Sequence, residues 1–252
     1  RVYRVISTIA AAQALGAEVA VPEPVAFDPE LKLLLQRATP GRPVVERIRT
    51  GDTSSTEAIA EAINHLHGSG LDLGRRHDLD REFAPLPGRV ADVGSHAPHL
   101  RIAAEHCLRD LLTRRDVAAK WRWQPVHRDF YHDQVLIDGD RLAILDLDDA
   151  AMSEPAVDIA NFAAHLRLLG IQERDDPAAF APARRAFMTR RSIRASTSPF
   201  SACWRQPRSY GLPESTSPVT TVPGLPSACS WNRTHCSQDF PWMGVVRSSR
   251  GS

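Results

Sequence analysis

The chain has 252 residues, 24% of them charged, and a formal net charge of +1 at pH 7. That length suffices for a sizeable core in one or two domains. The near-neutral charge leaves no electrostatic case for a nucleic-acid or membrane-surface partner. No apolar run approaches the roughly 20 residues that span a bilayer, and no signal-peptide pattern opens the chain. Cysteine spacing gives neither a zinc signature nor a complete disulfide set. Cys203, Cys229 and Cys236 crowd near the C-terminal end, whereas Cys107 reads as a small buried apolar residue of a helix. A reducing cytoplasm is the expected compartment.

In chain order, residues 2–16 place Val2, Val5, Ile6, Ile9 and Leu15 at helical spacing, with Gly16 as the stop. Val25–Phe27 and Lys32–Gln36 form an expected hairpin around a DPE turn. Residues 54–67 are an expected helix with Ser/Thr residues at its cap, an acid in its first turn and an apolar face of Ile59, Ala62, Ile63 and Leu66. Residues 69–98 read as a loop with one short helix near Asp78–Phe83. Over residues 99–120 a longer helix is expected, with Leu100, Ala103, Ala104, Cys107, Leu108, Leu111 and Leu112 on one core-facing stripe. Further helices are expected over 155–169, with Pro155 in the first turn, and over 176–190. Residues 192–252 are dense in Ser, Thr and Pro, carry only Glu214 and Asp239 as acids, and lose all periodicity. Such a stretch cannot bury enough apolar surface to offset its chain entropy. It is either a disordered extension or out-of-frame sequence beginning near Arg190.

The informative segment runs from His127 to Asp158: HRDFYHDQVLIDGDRLAILDLDDAAMSEPAVD. His127, Asp129 and Gln134 follow the spacing H-x-D-x4-N/Q, and the apolar run LAIL then ends in Asp146. In phosphoryl-transfer sites a loop acid positions the attacking hydroxyl, and an amide five residues on joins a strand-end acid in holding the metal. Asp129 alone could be a turn carboxylate capping its own backbone; its two partners favour the catalytic reading. Gln134 offers a hard oxygen suited to Mg²⁺. A carboxylate at a buried strand end is costly unless paired or metal-bound, which makes Asp146 a metal candidate. Asp148 is a candidate second ligand, and Asp149 is expected to face solvent or to cap the next stretch of chain. His127 is either a structural hydrogen-bonding residue of the loop or an acid–base group. A competing pattern, H-x-D-x-x-H, would make His127, Asp129 and His132 metal ligands of a hydrolase, but it leaves LAILDLDD unexplained.

HRDFYHDQVL followed by LAILDLDDAAMSEPAVDIANF resembles the aminoglycoside phosphotransferase / choline kinase-type family, relatives of protein kinases. The resemblance is strong over residues 125–166. It extends weakly over VAVPEPVAFDPELKLLLQRATPGRPV and AIAEAINHLHGSG. It implies an α+β, protein-kinase-like fold: a remnant N-lobe and hinge over 1–45, a mostly helical C-lobe over 46–191, and a disordered or out-of-frame tail over 192–252. It also implies Asp129 as catalytic base with His127 beside it, Gln134 and Asp146 as magnesium ligands, and Asp158 bracing the loop from a helix. ATP would be the phosphoryl donor and a small-molecule hydroxyl the acceptor. The family anchors ATP with a glycine-containing hairpin and a strand lysine. Here Lys32 and Lys120 are the only lysines, and Lys32 falls in the hinge-side hairpin. The chain therefore reads as N-terminally truncated, and a non-catalytic remnant or small-molecule binding protein is the alternative.

Overall fold

The computed structural model describes residues 1–12, 19–113 and 122–192. All of them belong to one compact unit, Arg1–Pro207; the second, Arg208–Ser252, lies outside the described residues, as do Cys203, Cys229, Cys236 and nearly all of the expected tail.

Helix α1 (Val2–Ala11) buries Val5, Ile6 and Ile9, the positions its period predicts, and its reading toward Gly16 runs into residues outside the described set. The short strand β1 (Val19–Ala20) comes next, then a hairpin of β2 (Pro24–Asp28) and β3 (Leu33–Gln36) paired antiparallel, with Phe27 opposite Leu34. Lys32 occupies its turn at φ 52°. After β4 (Arg42–Pro43) and α2 (Val45–Arg49) comes α3 (Thr53–Gly68). Its cap is Asp52, whose carboxylate accepts from the Ser54 and Ser55 amides at 2.9 and 3.4 Å. The cap is thus an aspartate before the Ser/Thr run, and no acid stands in the first turn. Ile59, Ala62, Ile63 and Leu66 form the buried face, as their spacing requires.

The segment expected to be mostly loop holds α4 (Leu79–Phe83) and also α5 (Leu86–His96), which begins at a proline-rich first turn. Pro87 and Gly88 obscured its period; proline is tolerated in a first turn because its missing N–H has no intrahelical partner there. A 3-10 turn at Pro98–Leu100 leads into α6 (Arg101–Thr113); residues 114–121 lie outside the described set. The expected core stripe of α6 is not buried. Of the stripe, Leu100, Leu111 and Leu112 are 42–47% exposed and Cys107 is an exposed free thiol; Ile102, outside the stripe, is 64% exposed. Helix α6 packs on α5, and neither helix buries a single residue. Two helices touching along one seam cannot exclude water as a multi-sided core does.

Strand β5 (Gln124–Val126) pairs antiparallel with β8 (Ala151–Ser153), and β6 (Val135–Asp138) with β7 (Arg141–Ile144). A four-stranded sheet runs in the order β1-β7-β6-β4, with β1 parallel to β7. Gly139 turns the β6–β7 hairpin at φ 60°, a conformation glycine adopts without strain. Helices α7 (Ala156–Arg174) and α8 (Ala181–Ser192) complete the unit. One core cluster joins Ile6 and Ile9 of α1 to Ile59 and Ile63 of α3, Ile144 of β7 and Phe162 of α7, so residues on both sides of position 45 share it. Phe130, Phe162 and Phe187 stack through its centre, with centroids 5.4 and 4.3 Å apart. Phe130 therefore fixes the segment before β6 from within the core.

Candidate active site

The pairing of β5 with β8 brings two loops together. One leaves β5 at His127 and passes through a 3-10 turn at His132–Gln134 into β6; the other leaves β7, passes Asp146 and a 3-10 turn at Leu147–Asp149, and enters β8. Val126 pairs with Ala151, so residues 127–129 face residues 146–150. The Leu145 amide donates to the Gln134 carbonyl at 2.8 Å, fixing the other end of the cleft.

Asp158, in the first turn of α7, is fully buried. Its carboxylate accepts from the His127 amide at 2.9 Å, the Arg128 amide at 2.7 Å and His67 Nε2 at 2.7 Å. An ionised carboxylate only accepts, so His67 carries its proton on Nε2. Burial raises the Asp158 pKa, but the His67 hydrogen bond, the positive groups and the His127 amide outweigh it, and the net shift is downward. His127 is likewise buried and donates from Nε2 to the Leu145 carbonyl at 2.8 Å. That bond ties one loop to the other, while Nδ1 is buried without a hydrogen-bond partner.

Asp129 is half-buried. Burial pushes its carboxyl above the ordinary range, and the charges of Asp146 and Asp149 push it further, while His127 and Asn161 act the other way. Asn161, one turn beyond Asp158 on α7, donates to the Phe130 carbonyl at 3.3 Å, next to Asp129 in the chain. Gln134 is buried, and its Nε2 lies 3.5 Å from Asp146 Oδ2. Amide O and N are interchangeable in assignment, so a flipped Gln134 presents two oxygens, its own and that of Asp146, to one ion. Asp146 itself is exposed, not buried, which corrects the strand-end argument: the burial ends at Ile144, and Asp146 turns outward at φ 53°. Aspartate enters this left-handed region more readily than most residues.

Asp148 is exposed; burial of its carboxyl atoms and the charges of Asp146 and Asp149 raise its pKa, and Arg1 lowers it. Arg1 also donates to the backbone carbonyls of Asp148 and Ala150 at 3.0 and 2.9 Å. Asp149 is exposed and paired, its Oδ1 accepting from Arg75 Nη1 at 3.0 Å and Arg128 Nη1 at 3.2 Å. The His127, Asp129, His132 cluster does not assemble: His127 is spent on Leu145, His132 Nε2 faces Asp133 at 3.5 Å, and no group of three His, Cys, Asp or Glu fit for a metal occurs among the described residues. A pair such as Gln134 and Asp146 fits Mg²⁺, which keeps several waters and substrate oxygens as ligands.

Arg128 has φ 74°, a left-handed conformation that costs a non-glycine residue of order 1–3 kcal/mol. Its sequence signal was absent, because strain and long-range partners leave no local pattern. Asn161 did leave one: its i, i+3 spacing from Asp158 puts both on one face of a helix. A cavity of about 390 Å³ lined by Arg42, Pro43, Glu46, Arg47 and Gly139 lies at the other end of the β6–β7 hairpin, and none of the loop carboxylates lines it.

Residues 1–191 match the model of the phosphotransferase enzyme family. The chain belongs to this family. No curated protein matches this phosphotransferase-family chain by sequence. Among solved structures it is similar to an aminoglycoside-3'-phosphotransferase of type VIII, at TM-score 0.56 and 20% identity over 80% of this chain and 76% of the other. It is also similar to a glucosamine kinase in complex with glucosamine, ADP and inorganic phosphate, at TM-score 0.51 and 20% identity over 75% of this chain. The chain spans 56% of that kinase. These likenesses establish a kinase-like fold of mixed helices and sheets. No described helix is long and apolar enough to cross a membrane.

Proposed function

We propose that the phosphotransferase-family chain carries the phosphoryl-transfer centre of a small-molecule kinase that uses ATP and Mg²⁺. The observation that carries this reading is that Gln134 Nε2 lies 3.5 Å from Asp146 Oδ2 where the pairing of β5 with β8 sets the loop of Asp129 beside the loop of Asp146. Nucleotide use is supported by the ADP in the glucosamine kinase complex. Within this reading residues 1–45 correspond to the nucleotide-side lobe and hinge, and 46–191 to the lobe holding the catalytic loop. An exposed free thiol at Cys107 suits a reducing cytoplasm.

Asp129 accepts the acceptor hydroxyl's hydrogen bond and takes its proton as the oxygen attacks the γ-phosphorus. The new O–P bond forms while the bond to the β-phosphate oxygen breaks, and ADP leaves with that electron pair. Asn161 and the Phe130 ring hold the backbone next to Asp129, and Asp158 and His127 hold the rest of the loop. Gln134 and Asp146 would hold the magnesium ion, with Asp148 as a further ligand. When bound, the ion neutralises charge on the phosphates. The acceptor class is a small molecule bearing a free hydroxyl, with amino sugars and aminoglycosides first for trial because of the neighbours' ligands.

The test is ADP release from Mg²⁺-ATP across a panel of amino sugars, aminoglycosides and amino alcohols. Asp129→Ala should lower acceptor-dependent turnover about 10²–10⁴-fold, the usual worth of a positioned base. Equal turnover in the variant would remove Asp129 from the chemistry. Absence of turnover with every acceptor would favour the non-catalytic binding alternative.

A further inference from the structure

Arg128 poses a problem that the phosphotransfer reading leaves open. Its peptide lies in the left-handed region at φ 74°, where glycine would be unstrained. Its amide bond to Asp158 needs no side chain. The guanidinium must therefore supply something that glycine cannot.

That group is mostly buried and lies between two acids from separate parts of the chain. Nη1 donates to Asp149 Oδ1 at 3.2 Å. Nε lies 3.8 Å from Glu82 Oε1, an ionic contact too long for a hydrogen bond, and both atoms are buried without a hydrogen-bond partner. Glu82, on α4, also faces His77 Nε2 at 2.8 Å, out of line for a hydrogen bond. Arg75 meets the same Asp149 oxygen at 3.0 Å. The turn at Leu147–Asp149 is thus held by arginines from several directions, and Arg128 is the one joined directly to the peptide of Asp129.

We infer that Arg128 is a positioning residue, fastening the loop that carries Asp129 to Asp149 across the cleft and to Glu82 on α4. This rests on the reading of Asp129 as the base. Without the guanidinium, the Asp149 carboxylate keeps the Arg75 hydrogen bond but loses the one that ties it to the loop of Asp129. The loop retains its Asp158 anchor, so the fold survives while the geometry of the acid loosens. A misplacement of about 1 Å can cost on the order of 10²-fold in rate.

The experiment compares the wild-type chain with Arg128→Gly, Arg128→Lys, Asp149→Ala and the Arg128→Gly/Asp149→Ala double variant, with Asp129→Ala as the blank. Steady-state kinetics, thermal melting and amide exchange over residues 127–131 are measured for each. Arg128→Gly should melt near or somewhat below the wild-type temperature, because relief of strain offsets only part of the lost contacts to Asp149 and Glu82 and of the added chain entropy of glycine, while kcat falls about tenfold to a hundredfold and the acceptor KM stays nearly constant. Arg128→Lys should recover part of kcat, and the double variant should be no slower than the worse single one. A kcat for Arg128→Gly equal to wild type, or a loss that follows melting and is not recovered by lysine, overturns the inference while leaving the Asp129 reading intact. Fully additive losses overturn the coupling to Asp149. If Asp129→Ala matches wild type, or nothing turns over, the Asp129 reading fails and exchange decides the clamp. Faster exchange in Asp149→Ala at unchanged melting temperature supports it, and unchanged exchange overturns it.

Discussion

The catalytic-type loop and the α5–α6 hairpin are built from sequence of similar apolar content, yet one is pinned and the other is not. Residues 127–131 make two amide bonds to Asp158, which His67 holds from the other side, one ring bond to Leu145, and the Phe130 anchor, all with partners distant in the chain. The helices α5 and α6 bury no residue and meet mainly each other. Helical periodicity specifies a face; it does not supply a partner for that face. Polar residues buried at a junction, by contrast, must find partners, because an unpaired buried group costs more than the bond is worth.

The contrast breaks most sharply at Asp158. Asp158→Ala leaves two loop amides and the His67 ring buried without their acceptor and should cost about 3–5 kcal/mol, as for other buried charges stripped of a partner. Urea unfolding measures it; a loss below about 1 kcal/mol, the scale of one ordinary hydrogen bond, would mean that the junction is wet. The same carboxylate sharpens the comparison through pH. Its folded-state pKa lies below its unfolded value of about 3.9. The stabilisation is therefore complete above that value and is lost as pH falls below it toward the folded-state pKa. Wild type should lose stability below about pH 4 faster than Asp158→Asn. Parallel acid curves would place the pH dependence elsewhere. At the small end, Ile102→Ala and Leu111→Ala on α6 should change stability by no more than about 0.5 kcal/mol, the usual range for exposed positions. A cost above about 2 kcal/mol, the scale of a core truncation, would reveal burial of that face.

The fold class was legible because HRDFYHDQVL and LAILDLDDAAMSEPAVD keep both spacing and hydrophobic pattern, and the helix at 54–67 because its period is clean. Asp158 stood out as an acid in an otherwise apolar helix. What escaped was decided by tertiary partners. The exposure of Cys107 and of Asp146 depends on where the neighbouring elements stop. The roles of Arg128, Glu82 and His67 depend on contacts spanning tens of residues. Helix α5 was missed because its proline and glycines mask a period that its ends still support.

Central to the proposed chemistry is that Gln134 and Asp146 act together on a nucleotide's metal. The most direct measurement is the Mg²⁺ dependence of ATP binding by calorimetry for wild type, Gln134→Ala and Asp146→Ala. Mg²⁺ should tighten nucleotide binding to the wild-type chain; Asp146→Ala should abolish this gain, and Gln134→Ala should reduce it. An equal Mg²⁺ effect in all three proteins would contradict the shared-metal reading.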